Sequence, residues 1–301
     1  MKTASFKGIL PAIITPFDED ENFAPAVFER LIDRLYATGI EGLYVNGQTG
    51  EGLLQPVAQR KQVAEVALRC SPKGKKVIVH VGASRTSDAL ELARHAAAIG
   101  AHAVASLPPL GVYTFAETLI YYRALASVSG LPVLVYYFPA TSPAVQSTQQ
   151  VLELLEIPDV VGLKFTDFDL YKLSQIKQSG CVVFNGHDEV LIAGLLMGAD
   201  GGIGTFYNLI PGLFVEVYRL AAEKQWDAAR MVQARINELV GVCLKFPLVP
   251  AVKTILQWQG LECGEALAPR RPLTDEEARS LRDLLLGSSF EHLAGVAARQ
   301  A

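Results

Sequence analysis

Eight short apolar runs alternate with longer amphipathic stretches over roughly the first 225 residues of this chain, and that beat restricts the fold more than any single residue does. The runs are Ile9–Thr15, Gly42–Val45, Val77–Val81, Ala103–Leu107, Val133–Tyr136, Val160–Lys164, Val182–Asn185 and Gly201–Gly204. Helical patterns lie between and after them, at roughly 24–38, 56–69, 85–99, 115–129, 147–155, 168–178, 189–197 and 209–223. Short buried strands joined through helices imply a parallel sheet with right-handed crossovers. Eight such units in this length match an α/β fold of the (β/α)₈ TIM barrel type better than an open, doubly wound sheet.

After residue 225 the strand signal stops. Gln225–Leu244, Leu248–Gly260 and Thr274–Leu286 read as three further helices, the last opened by Thr274 with Asp275, Glu276 and Glu277 in its first turn. The expectation is one domain: a catalytic barrel over 1–224 and a C-terminal helical extension over 225–301, packed on the barrel or on a neighbouring subunit. Half of the residues are apolar and 19% are charged, enough for a large core. A net charge of −4 provides no basic footprint for nucleic acid. No run of eighteen uncharged apolar residues is present, so no membrane partner is expected. The N-terminal Met1–Lys7 runs into a strand punctuated by Pro11 and Pro16, without the apolar segment of a signal peptide. Cys70, Cys181, Cys243 and Cys263 are far apart with no CxxC spacing, which fits reduced thiols in a cytoplasmic protein.

In a barrel of this kind, reactive side chains sit where strands end. The sixth run, Val160-Val161-Gly162-Leu163-Lys164, ends in an amine at an in-pointing position. One reading is a lysine snorkelling from a strand end. The other is a desolvated nucleophile that condenses with a ketone to form a Schiff base. Tyr136 ends the fifth run, either as a core tyrosine or as a phenol that shuttles protons beside such a lysine. In the loop Gly47-Gln48-Thr49-Gly50-Glu51-Gly52, glycine turns and the Thr49 hydroxyl suit a plain turn or a carboxylate cradle. The loop lacks the order of a nucleotide-triphosphate site. His187-Asp188-Glu189 has no second ligand cluster at metal spacing and fits polar contacts to a sugar-like substrate better. Gly198–Gly204 enters a strand rather than leaving one, so it is no dinucleotide fingerprint. These residues point to neither a metal nor a dinucleotide site.

Together, Gly47-Gln48-Thr49-Gly50-Glu51, Tyr136-x-x-Pro139, Gly162-Leu163-Lys164-Phe165-Thr166 and Gly198-Ala199-Asp200-Gly201-Gly202-Ile203-Gly204 resemble the N-acetylneuraminate lyase and dihydrodipicolinate synthase superfamily. The resemblance runs from about residue 6 into the helical C-terminus, with the four motifs in the expected order. It implies a class I, pyruvate-dependent aldolase on a (β/α)₈ barrel, usually a homotetramer, acting on a small-molecule 2-keto acid without metal or organic cofactor. By that similarity Lys164 is the Schiff-base lysine, Tyr136 the proton-transferring tyrosine, and Thr49 with Gln48 the carboxylate site. Thr166, Gly186, Asp188, Glu189 and Thr205 would then bind the polyhydroxylated part of a sialic-acid-like sugar.

The lyase branch fits better than the synthase branch, which normally carries an arginine where this chain has Thr141. The implied activity is cleavage of N-acetylneuraminate to pyruvate and N-acetylmannosamine. The alternatives are a 2-keto-3-deoxy-sugar-acid aldolase or dehydratase, a 4-hydroxy-tetrahydrodipicolinate synthase, or a catalytically silent keto-acid-binding barrel. Two departures from the pattern stand out. Gln48 replaces a small hydroxyl residue, and Leu110 or Gly111 stands where many members place a tyrosine lent to a neighbouring subunit, with Tyr113 nearby.

Overall fold

The computed structural model describes residues 6–295; positions 1–5 and 296–301, at the two ends of the expected barrel and extension, lie outside the described residues. Eight parallel strands form the barrel: β1 (Gly8–Pro11), β2 (Gly42–Val45), β3 (Lys76–His80), β4 (Ala103–Ser106), β5 (Val133–Tyr137), β6 (Val160–Phe165), β7 (Val182–Asn185) and β8 (Gly201–Gly204). Neighbouring strands pair in parallel from β2 through β8, and β8 pairs back onto β1. A bridge between Ala12 and Tyr44, with the Ile13 N–H donating to the Tyr44 carbonyl at 3.0 Å, joins β1 to β2.

Eight helices surround the strands: α1 (Pro25–Tyr36), α2 (Val57–Cys70), α3 (Thr86–Ala98), α4 (Phe115–Ser129), α5 (Thr148–Leu155), α6 (Leu170–Lys177), α7 (Leu191–Leu196) and α8 (Pro211–Ala222). Alternate strand residues divide between two cores, as the two-residue period of a strand requires. On β5, Val133, Val135 and Tyr137 face the helices, while Leu134 and Tyr136 face the barrel interior. Capping boxes at Thr114/Glu117 and Ser147/Gln150 start α4 and α5 where the polar joints were read.

Most expected boundaries hold to within one or two residues, and two elements differ more. The first run was read to Thr15, but the ladder ends at Pro11. Beyond that proline, which has no N–H, Ile14 and Thr15 bond instead to the Asn208 side chain and the Gly50 carbonyl. The pattern at 189–197 is split into a 3₁₀ turn, Asp188–Val190, and the short α7.

The extension comprises α9 (Trp226–Cys243), α10 (Leu248–Trp258) and α11 (Asp275–Leu286), followed by a 3₁₀ turn over Glu291–Ala294. Helix α9 packs along α8 and reaches the loop after β7. There Gln233 Nε2 donates to the Asp188 carbonyl and Asn237 Nδ2 to that of Glu189. Among the described residues, no single helix is long and apolar enough to cross a membrane. The four cysteines are free.

Candidate active site

A cleft of about 590 Å³ opens at the C-terminal ends of the strands. Its lining includes all nine residues singled out in the sequence: Gln48, Thr49, Tyr136, Lys164, Thr166, Gly186, Asp188, Glu189 and Thr205. The strand register explains the pair at its base. Tyr136 on β5 is the direct partner of Lys164 on β6, so both side chains project to the interior from adjacent strands.

Lys164 is 5% exposed, and its Nζ lies over the ring faces of Tyr136 (4.2 Å to the centroid) and Tyr44 (5.0 Å). It makes no ion pair among the described residues. Packing therefore holds the amine in place with no counter-ion beside it. Tyr136 is fixed in turn by T-shaped contacts with Tyr44 (6.2 Å) and His80 (6.0 Å) and by stacking on Phe138 (6.1 Å). Burial, with Arg60 and Lys164 nearby, holds the fully enclosed His80 well below its ordinary range.

The β2 loop is tightly determined. Asn46 and Glu51 both adopt positive φ, 59° and 57°. Thr15 Oγ1 and Gln55 Nε2 both donate to the Gly50 carbonyl, at 2.8 and 2.7 Å. The Glu51 and Gly52 N–H groups close the turn onto the Gln48 and Gly47 carbonyls, whereas those of Thr49 and Gly50 donate to no protein acceptor among the described residues. The Thr49 hydroxyl lies 2.6 Å from that of Thr205, linking this loop to the end of β8.

Two close approaches shape the opposite lining. A β-carbon on Gly204 would fall 1.7 Å from Asp188 Oδ1, and one on Gly186 would fall 2.1 Å from Thr166 Oγ1. Only glycine lets these polar side chains lie flat on the strand ends. Asp188 Oδ2 accepts from the Phe206 N–H at 2.7 Å, yet burial pushes its carboxyl up to about 7. Burial also raises Glu189, but its own backbone N–H and the His187 imidazole (Nδ1 to Oε1, 3.5 Å) outweigh this and hold it below its ordinary value.

The raised Asp188 value has a stability consequence. Between the ordinary carboxylate range and about pH 7 the native state binds a proton that the unfolded chain has released. The unfolding free energy contributed by this group therefore falls as pH rises through that window, by about 4 kcal/mol at most. Asp188→Asn is expected to flatten the decline of thermal midpoint between pH 5 and 8, measured against the parent protein in parallel melts. Superimposable pH profiles would remove Asp188 from this role.

Sequence reading missed part of the lining. Leu244, Pro247–Pro250, Pro269, Arg270 and Arg271 come from the extension. The lining also includes Phe138 after β5 and, after β7, His187, which the sequence already groups with Asp188 and Glu189. His187 stacks on the exposed Phe168 at 3.9 Å. Pro269, Arg270 and Arg271 lie in the Ala268-Pro269-Arg270-Arg271-Pro272 stretch that leads into α11. Tyr113 is 42% exposed and is not part of the lining, so the loop after β4 brings no tyrosine of this chain into the cleft. Thr141 is also exposed and outside it. Among the described residues, no group of three or more His, Cys, Asp or Glu side chains stands where it could hold a metal ion.

The model of the dihydrodipicolinate synthetase family matches residues 5–287. The chain belongs to this family. It is 37% identical over 282 residues to an N-acetylneuraminate lyase of Rhizobium meliloti, an alignment covering 92% of this chain and 93% of that protein. An Escherichia coli protein named N-acetylneuraminate lyase 2 is 35% identical over 260 residues, covering 85% of each. Among solved structures, the sialic acid aldolase of Ruminococcus gnavus superposes with a TM-score of 0.90 at 27% identity, covering 96% of this chain and 97% of that one.

Proposed function

We propose that this protein is a Schiff-base carbon–carbon lyase that cleaves N-acetylneuraminate to pyruvate and N-acetylmannosamine. The observation that carries the reading is the unpaired Lys164 amine, 4.2 Å from the Tyr136 ring at the base of a cleft that also holds the Thr49–Thr205 hydroxyl pair. The names of the relatives select the substrate within the family.

In this scheme the substrate carboxylate docks on Thr49, Gln48 and the open N–H groups of the β2 loop. Lys164 Nζ adds to C2, water leaves, and a protonated imine forms. Tyr136 accepts the C4 hydroxyl proton while passing its own phenolic proton to the substrate carboxylate as the C3–C4 bond breaks, and that electron pair passes into the imine to give an enamine. The aldehyde departs. Protonation at C3 and hydrolysis of the imine release pyruvate and restore the amine. Thr166, Gly186, Asp188, Glu189 and Thr205 would orient the hydroxylated tail; a neutral Asp188 can donate a hydrogen bond as well as accept one. No step calls for a metal or an organic cofactor. A cytoplasmic homotetramer is the companion proposal, supported by the free thiols and by family resemblance.

The test is pyruvate release across a panel of 2-keto sugar acids. Turnover of N-acetylneuraminate well above that of 2-keto-3-deoxy-aldonic acids is expected. The reverse order would assign the cleft to the deoxy-acid aldolases or dehydratases.

A further inference from the structure

The extension touches the β2 loop through a buried ion cluster that the proposed chemistry leaves unused. The Glu51 side chain is fully enclosed. Its Oε1 lies 2.9 Å from Lys253 Nζ on α10; its Oε2 accepts from the Leu267 N–H at 2.7 Å and lies 3.3 Å from Arg270 Nη1. Arg270 Nη2 then donates to the carbonyl of Gln48 at 3.1 Å. Lys253, itself 2% exposed, also donates to the Glu265 carbonyl and lies over the Phe17 ring. One anion is thus shared by two cations, which leaves a net positive charge in the wall that carries Gln48 and Thr49. Both Arg270 and Gln48 line the cleft.

We infer that the Glu51–Lys253–Arg270 cluster is the strut by which the C-terminal extension sets the carboxylate end of the cleft, with Arg270 a positioning residue for the anionic end of the substrate. The geometry gives two reasons. Arg270 holds the Gln48 carbonyl, Thr49 follows, and two residues further on Glu51 sits at positive φ with its side chain held in buried ion pairs. The surplus charge of the cluster attracts a carboxylate without touching it, an effect strengthened by the enclosed surroundings. A buried pair costs several kcal/mol when one partner is removed, so Glu51 and Lys253 are poor probes. Arg270 is one-third exposed and can be changed with the buried Glu51–Lys253 pair left intact.

The inference rests on the Schiff-base reading, and the experiment separates the two. Pyruvate and borohydride are applied to the parent protein and to Arg270→Gln, and labelling of Lys164 is followed against pyruvate concentration. Arg270→Gln is expected to need roughly tenfold more pyruvate for half-maximal labelling. It should also raise KM for the 2-keto acid by a similar factor while kcat stays within about threefold. Arg270→Lys, which keeps the charge and loses the two-pronged contact, should fall between the two. An unchanged half-saturating concentration in both variants overturns the strut, as does a fall in kcat at unchanged KM. An unlabelled parent protein overturns the Schiff-base reading and the strut with it.

Discussion

Lys164→Ala is expected to lower pyruvate release by more than roughly 10⁴-fold while the barrel persists. The loss is near-total because no other group can replace the amine. Among the described residues that line the cleft, Lys164 is the only lysine. The two arginines there, Arg270 and Arg271, are occupied by Glu51 and Glu277 and do not form imines under these conditions. Without an imine at C2 the electron pair of the breaking C3–C4 bond has no sink, and the remaining hydrogen bonds orient a substrate that cannot react. The fold should survive, since Lys164 takes part in no ion pair whose removal would strand a buried partner charge. Two measurements check this: coupled detection of pyruvate, and mass spectrometry of the peptide bearing residue 164 after treatment with pyruvate and borohydride. The parent peptide should gain covalent mass and the variant should not. A variant that still releases pyruvate at a tenth of the parent rate would place the chemistry elsewhere.

The barrel was legible because its signal is periodic and local. Each strand is a short apolar run, each crossover an amphipathic stretch, and Lys164 and Tyr136 gave themselves away as polar residues at interior positions of such runs. The β2 loop was legible for a similar reason, since three glycines around two polar residues mark a backbone built for close contact. What escaped was everything that depends on long-range placement. Nothing in Ala268-Pro269-Arg270-Arg271-Pro272 announces that Arg270 reaches residues more than two hundred positions earlier. Glu51 looked like the tail of a loop motif; its role as an enclosed partner of Lys253 appears only when α10 is laid against the barrel. The shortened β1 has the same origin. Apolar character continues to Ile14, but past Ile13 the Ile14 N–H donates to the Asn208 side chain and the Thr15 hydroxyl to a loop carbonyl, partners from elsewhere in the chain.

Tyr136→Phe is the most discriminating substitution in the cleft, because the proposed scheme gives the ring and the hydroxyl of this residue different work. The ring is packed between Tyr44, His80 and Phe138 and presents its face to Lys164 Nζ at 4.2 Å. Phenylalanine preserves every one of those contacts, so the amine should stay in place and imine formation with pyruvate should continue. Only the proposed proton relay is removed. Among the described residues lining the cleft Tyr136 is the only tyrosine, and the neighbouring Tyr44 hydroxyl is enclosed without a hydrogen-bond partner, so neither offers a second phenol at the substrate. The expected result is therefore a split: kcat for cleavage falls by about 10²–10⁴-fold, with KM and borohydride labelling of Lys164 nearly unchanged. Loss of labelling together with kcat would mean that the phenol is needed to form the imine as well as to break the carbon–carbon bond. A kcat within threefold of the parent would remove Tyr136 from proton transfer and leave it as the wall against which the amine rests.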